Sequence, residues 1–288
     1  MCVADFLRHN GGRATAAELV AATSKKAVAS AVRRGEITRA ARGLYVLPGA
    51  ATDHTTALAY HGVLSHVSAA RVWGLPLLVP PEKPHIILPA HRRPRPGPPA
   101  VLHWSHTTAD ERRTGVTSAL RTVCDCARIL PFGEALAVAD AALARRLLLP
   151  DELVAAARTL RGPGCPNARR VAALADGRAD SFLESMLRAL LISAGVDGFE
   201  PQVLVSCGAF RARVDLGHRP ARVALEAEAF EFHGSPNAFA ADCRRYDELV
   251  TAGWLVLRFT YQQILGDPQW VVATVREAVR ARTTGGVC

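Results

Sequence analysis

After residue 178 the hydrophobic pattern changes period in a fixed order, and that order limits the fold more than any other feature of the 288-residue chain. Ser181 to Ser193 has apolar residues at helical spacing, with Phe182, Met186, Leu187, Leu190 and Leu191 on one stripe and Glu184 on another face. Gln202 to Ser206, Phe210 to Leu216 and Arg222 to Phe230 then alternate as strands, the last two forming a hairpin around Gly217 to Ala221. Ser235 and Pro236 open a helix that runs to Ala252 and closes at Gly253. Trp254 to Thr260 is a strongly apolar strand, and Asp267 with Pro268 starts a last helix to about Arg282. The string α-β-β-β-α-β-α predicts a mixed sheet flanked by helices.

Upstream, the chain is too long for the usual single domain. The expected organisation is a multi-domain α/β protein divided at 1–50, 51–175 and 178–288. Residues 1–50 read as three short helices and a β-ribbon, the order of a winged helix-turn-helix. Thr15 and Glu18 form a capping box for the second helix, and Ser24 caps a third from Lys25 to Arg34 that ends at Gly35. Val28 and Val32 form the third helix's apolar face. Lys25, Lys26, Arg33 and Arg34 on that helix, with Arg39 and Arg42 on the wing, are the expected nucleic-acid contacts. Residues 51–175 are a mixed α/β segment. A helical stretch is expected from Thr55 to Trp73, strands at Pro84 to Pro89 and Ala100 to Trp104, and helices near 117–130, 133–146 and 150–160. The clearest break is Arg161 to Pro166, followed by a short helix at Ala168–Ala175.

Charge and cysteines narrow the function classes. There are 35 Lys and Arg against 26 Asp and Glu, a net +9 that favours a polyanionic partner. The seven cysteines show no paired CxxC spacing, so a zinc knuckle is not expected, and Cys124 and Cys126 read as buried thiols in a reducing cytosol. The seven histidines between His54 and His106 show neither HxxxH nor HExxH spacing. No apolar run reaches membrane-spanning length and no leader is evident, so the expected location is the cytoplasm, without a membrane partner.

The residues that carry chemistry fall on the hairpin. Glu226 and Glu228 lie two apart on one strand and share a face. Carboxylates beside Val223, Leu225 and Phe230 are costly to leave unpaired, and a hard cation taking oxygen ligands relieves that cost. One geometric obstacle stands: in a symmetric hairpin about Gly217 to Ala221, Asp215 and Glu226 are three residues out of register, roughly 10 Å along the strands. Convergence then requires a bulge or strong twist.

The spacing Asp215-x10-Glu226-x-Glu228 resembles the PD-(D/E)XK motif of restriction-endonuclease-like nucleases, and the element order is similar to their αβββαβ core. Glu226 to Gly234 (EAEAFEFHG), Asp242 to Asp247 (DCRRYD) and Gly253 to Phe259 (GWLVLRF) resemble actinobacterial endonuclease-like domains related to Vsr-like very-short-patch repair enzymes. The first 50 residues resemble, more weakly, the winged-helix domain of AbiEi-type antitoxins, and the middle is similar to the segment found between such domains. The resemblance implies a DNA endonuclease using Mg²⁺ or Mn²⁺, in phage defence, a toxin–antitoxin pair or repair. It implies DNA as partner, with a cognate toxin or defence protein as a further one. It assigns metal binding to Asp215, Glu226 and Glu184, with the Ala227 carbonyl a further ligand, and catalytic roles to Glu228, His233 and Arg245. Glu228 stands where the motif has Lys, so it must serve as base or ligand. The other reading that this departure leaves open is a non-catalytic DNA-binding regulator with a vestigial nuclease fold.

Overall fold

The computed structural model describes residues 2–10, 12–41, 43–47, 53–94, 97–228 and 236–284. The chain is mixed α/β with three small sheets among the described residues. It divides into two compact units, 1–125 and 126–288. Among the described residues, no helix is long and apolar enough to cross a membrane.

In the first unit, α1 (Val3–His9), β1 (Arg13–Thr15), α2 (Ala16–Ala22), α3 (Lys25–Arg33), β2 (Thr38–Ala41) and β3 (Leu44–Val46) follow in order. Both expected caps form. The Thr15 hydroxyl accepts from the Glu18 amide while Glu18 accepts from the Thr15 amide, and the Ser24 hydroxyl accepts from the Ala27 amide. Gly35 follows α3 with φ +69°, a left-handed stop that costs glycine little. The core gathers Val3, Leu7, Leu19, Val28, Ala31 and Ile37. Val32 is exposed, so Val28 and Ala31, three apart, are the buried stripe of α3 and the expected Val28–Val32 pairing is incorrect. The sheet has order β1-β3-β2, all antiparallel; β1 was not legible as a strand because it is only three residues long.

The remainder of this unit comprises α4 (Asp53–Ala59), β4 (Val63–Leu64), α5 (His66–Val72), β5 (His85–Leu88), β6 (Val101–Trp104), α6 (Ala109–Thr114) and α7 (Ala119–Ile129), within which the division between units falls. The single helix expected from Thr55 to Trp73 is two helices separated by a strand. His61 takes φ +48°, which ends α4, and Gly62 lies so close to β5 that a Cβ there would sit 2.4 Å from Ile86 Cγ2. The chain between the helices therefore joins the sheet β4-β5-β6, with β4 antiparallel and β6 parallel to β5.

The second unit contains α8 (Phe132–Ala144), α9 (Pro150–Thr159), α10 (Cys165–Leu174), α11 (Phe182–Ser193), β7 (Phe199–Cys207), β8 (Phe210–His218), β9 (Val223–Glu228), α12 (Pro236–Thr251), β10 (Leu255–Thr260), α13 (Tyr261–Gly266) and α14 (Pro268–Thr284). The expected α-β-β-β-α-β-α order is present with α13 added. The segment Arg161 to Pro166 lies inside this unit, running from the end of α9 into the first turn of α10, and α10 packs on α8 and α9. Helix α11 packs against α8 as well as against the strands, so it buries more than one stripe: Leu183, Leu187 and Leu191, but also Glu184, Ser185 and Arg188. Most of their polar atoms find partners in place, the buried Arg188 Nε excepted. Arg188 forms a two-pronged ion pair with Asp140 of α8 (2.9 and 2.8 Å), and Asp140 also accepts from the Ser185 hydroxyl and the Asp176 amide. Cys124 and Cys126 are buried, as expected.

The sheet of this unit has order β10-β9-β8-β7. Strands β7, β8 and β9 pair antiparallel, and β10 returns through α12 to lie parallel to β9. Leu216, Leu225, Phe259 and Val223 pack with α11, α13 and α14, while Ala224, Val203, Val205 and Val214 pack with Leu249 of α12. The hairpin turn lies at Arg219 to Arg222 rather than at Gly217 to Ala221, because β8 continues through Gly217 to the His218–Val223 pair. Gly217 is there for close approach: a Cβ would stand 2.7 Å from the Val203 Cβ. The turn closes where the His218 ring accepts from the Ala221 amide and Arg222 adopts φ +50°.

Candidate functional site: a carboxylate cluster on the central strands

The corrected turn removes the geometric obstacle. The paired ladder runs from His218 opposite Val223 through Gly217 opposite Ala224 to Leu216 opposite Leu225, so Asp215 and Glu226 are the next residue on each strand, just beyond its last pair. The next amide, Ala227 N–H, donates to Asp215 Oδ2 at 2.8 Å and holds the carboxylate against β9. Glu226 is buried, 5% exposed.

Both carboxyls are perturbed in the same direction. Burial pushes Asp215 up to about 6; the Ala227 hydrogen bond opposes this, and the charge of Glu184 adds to it. Burial and the neighbouring Asp215 push Glu226 up to about 7, against the pull of Arg245. Two acids thus share one guanidinium, and the site lacks positive charge. Its donors are all oxygen, which suits a hard divalent cation.

Glu184 belongs to the surroundings of this pair. The Ser181 hydroxyl caps α11 by accepting from the Glu184 amide, and Glu184 Oε2 accepts from the Asp180 amide (3.0 Å) and from Gln202 Nε2 (2.7 Å). Gln202 sits in β7 at φ +55°, rare for a side-chain-bearing residue, and such conformations persist only where the surroundings hold them. Gln202 was not expected as a site residue. The available signal was a lone amide at the head of the otherwise apolar-alternating Val203 and Val205.

Glu228 is engaged on its own side. Arg258 donates to it at 2.8 Å from Nε and 2.7 Å from a terminal nitrogen, and the Tyr246 hydroxyl lies 3.1 Å away. The Arg258 guanidinium stacks 4.3 Å from the Tyr246 ring centroid, and burial together with Glu226 and Glu228 raises the Tyr246 hydroxyl. Parallel pairing explains why Arg258 is here, since it stands beside Glu226 on β10. Arg258 and Tyr246 were also missed, because nothing before the register was known tied Arg258 to β9. Arg245 of α12 reaches Glu226 Oε1 at 2.7 Å and the Arg213 carbonyl at 2.7 Å, not the helix neighbours Asp242 or Asp247. His233 lies outside the described residues.

Among the described residues, the three ligating side chains whose donor atoms all lie within 4.8 Å of one another are His66, His85 and His103 of the first unit; the acids are more widely spaced. Of the expected nucleic-acid contacts, Lys25, Lys26, Arg33, Arg34 and Arg39 are exposed on α3, its C-cap and β2, while Arg42 lies outside the described residues. Arg34 is tied to Glu36 at 2.7 Å and to the Ser30 hydroxyl, which leaves it less available than the two lysines.

The raised Asp215 carboxyl makes a stability prediction. It holds its proton in the folded chain at pH values where the unfolded chain has lost it, so stability falls as pH rises from about 4 to about 6. Asp215→Asn keeps an acceptor for the Ala227 amide and removes the charge. Above pH 7 without added metal, the variant is expected to exceed wild type by up to about 3 kcal/mol, from a shift of about two pH units at 1.36 kcal/mol each. The gain should vanish near pH 4. Equal urea midpoints for the two chains at pH 8 would refute it.

No family model matches the chain. Two proteins of Mycobacterium tuberculosis, the uncharacterized protein MT2308 of strain CDC 1551 / Oshkosh and the uncharacterized protein Rv2248 of strain ATCC 25618 / H37Rv, are each 31% identical to it over 206 residues. The match covers 70% of this chain and 76% of each relative. The chain belongs to the same protein family as these two.

Proposed function

We propose that the chain is a metal-dependent DNA endonuclease. In this reading its C-terminal unit is built on a PD-(D/E)XK core and its first fifty residues are a winged helix-turn-helix that holds DNA. The observation that carries the reading is the meeting of Asp215 and Glu226 just beyond the last β8–β9 pair, both carboxyls raised by burial and by neighbouring acids.

Asp215 and Glu226, with the Ala227 carbonyl, would hold Mg²⁺ or Mn²⁺. Such a cation lowers the pKa of bound water and offsets charge on phosphate oxygens. Glu184, fixed by Gln202 and the Asp180 amide, keeps negative charge beside Asp215. Arg245, paired with Glu226 at 2.7 Å, would be the residue to clamp a phosphate oxygen through charge-assisted hydrogen bonds if Glu226 held a cation. Arg258 places a guanidinium next to Glu228, restoring at that position the positive charge that the motif's Lys carries in related nucleases. Lys25, Lys26, Arg33 and Arg39 would neutralise phosphates along the duplex, so binding falls steeply with salt.

A second reading rests on the ion pairs themselves. Glu226 and Glu228 already have guanidinium partners at 2.7 Å, the state expected of a nuclease-like fold that binds DNA without cutting it, as in a regulator or antitoxin with a toxin or defence partner. Plasmid incubated with the full chain and Mg²⁺ or Mn²⁺ separates the two. Nicking that EDTA abolishes supports the endonuclease. Salt-dependent gel shifts without nicking, weakened in a Lys25→Ala, Lys26→Ala, Arg33→Ala variant, support the regulator.

A further inference from the structure

Three histidines that no spacing rule connects meet in the first unit. His85 and His103 come from the parallel strands β5 and β6, where His103 pairs with Ile87, so the two rings lie diagonally across one face. His66 opens α5. The His66 and His103 rings stack at 3.8 Å between centroids and 18° between planes, and His85 is 5.1 Å from His103. His66 is buried; the other two are half-buried.

Three details go beyond packing. His103 Nε2 and His85 Nδ1 are 3.1 Å apart, close to the roughly 3.3 Å that separates two imidazole nitrogens on one tetrahedral zinc at about 2.05 Å. His66 Nδ1 is 2.9 Å from the Ser65 hydroxyl, which fixes the ring and leaves Nε2 as its ligating atom, the arrangement that orients metal-bound histidines. His66 also holds φ +50°, a left-handed conformation that costs a side-chain-bearing residue on the order of 1 kcal/mol and recurs at functional sites. The strain places its ring over the sheet.

We propose that His66, His85 and His103 form a binding site for a borderline transition-metal ion, Zn²⁺ in the first instance, through three imidazole nitrogens. An all-nitrogen set selects Zn²⁺ over the hard cations that suit the acids of the second unit. With the His66 ring held by Ser65, convergence of the lone pairs on one ion would require the His103 ring to turn out of the stack. Three protein ligands on a half-buried face leave the fourth position to water, the coordination of a reactive rather than a closed structural zinc.

The full chain, stripped with EDTA and dialysed, is titrated with Zn²⁺ by calorimetry, and the loaded protein is measured by zinc X-ray absorption. One equivalent is expected, with an absorption spectrum dominated by imidazole scattering. His103→Ala and His85→Gln should each weaken binding by roughly a hundredfold or more. A sulfur-dominated or carboxylate-dominated shell, no stoichiometric binding by wild type, or undiminished binding by folded His variants would overturn the assignment. The absorption measurement uses wild type alone and so decides even where a variant fails to fold.

Discussion

Asp215→Ala is expected to lower Mg²⁺-dependent plasmid nicking by roughly a hundredfold to a thousandfold, the range seen when one group that stabilises transition-state charge is removed. Asp215 stands at the junction of the site: it neighbours Glu226, is held by the Ala227 amide, and feels the charge of Glu184. Removing it takes away one of the two acids proposed as ligands and leaves Glu226 paired to Arg245. Glu226→Ala should cost a similar factor and also free Arg245. Arg258→Ala discriminates finely, because it strips the guanidinium from Glu228 without touching Asp215 or Glu226. A loss of about tenfold or more there supports a cationic role beside Glu228, and unchanged rates at all positions would end the endonuclease reading. Circular dichroism and urea melts on each variant separate lost chemistry from lost structure.

The second large effect lies beneath the site. Asp140→Ala should destabilise the C-terminal unit by about 3–5 kcal/mol, because it strands the Arg188 guanidinium in the α8–α11 interface. Those side chains are 1% and 8% exposed, so water cannot replace the lost partner. Arg188 also donates to the Leu174 carbonyl, and its buried Nε has no partner among the described residues, so the network has no spare acceptor. Against a total stability of about 5–15 kcal/mol, the loss is large enough to unfold a marginal unit. The double change Asp140→Leu with Arg188→Met is expected to recover most of the loss, since apolar replacements of buried ion pairs are often neutral or better. A urea midpoint for Asp140→Ala within experimental error of wild type would overturn this account.

The element order of the second unit was legible because strong periodicity marks type better than boundary. Helix caps were legible to the residue, as Thr15 and Ser24 show, because a cap is a local hydrogen bond between neighbours in sequence. What failed was long-range. Gly217 reads as a turn glycine, yet it lies within a strand where Val203 leaves no room for a side chain. That misreading shifted the hairpin by three residues and created the apparent separation of Asp215 from Glu226. Gly62 misled in the same way, hiding β4 inside what looked like one helix. Asp215, Glu226 and Glu184 were readable from spacing and resemblance, but Gln202, Tyr246 and Arg258 depend on register and backbone strain that no local pattern carries. The histidine trio was invisible for the same reason, since its members come from three elements paired only in three dimensions.

The packing of α8 on α11 bears on how such a chain can be inherited. Glu184 and Arg188 sit on one helix, and Arg188 draws its counter-charge from α8, more than forty residues upstream. A gene rearrangement that joined a foreign segment at the glycine- and proline-rich stretch near Gly162 would carry the carboxylates but leave Asp140 behind. The helix that bears Glu184 would then carry an orphaned cation at Arg188. Recombination that preserves the whole arrangement therefore has its breakpoint ahead of Phe132, so the heritable module is longer than the Asp215 to Glu228 stretch suggests.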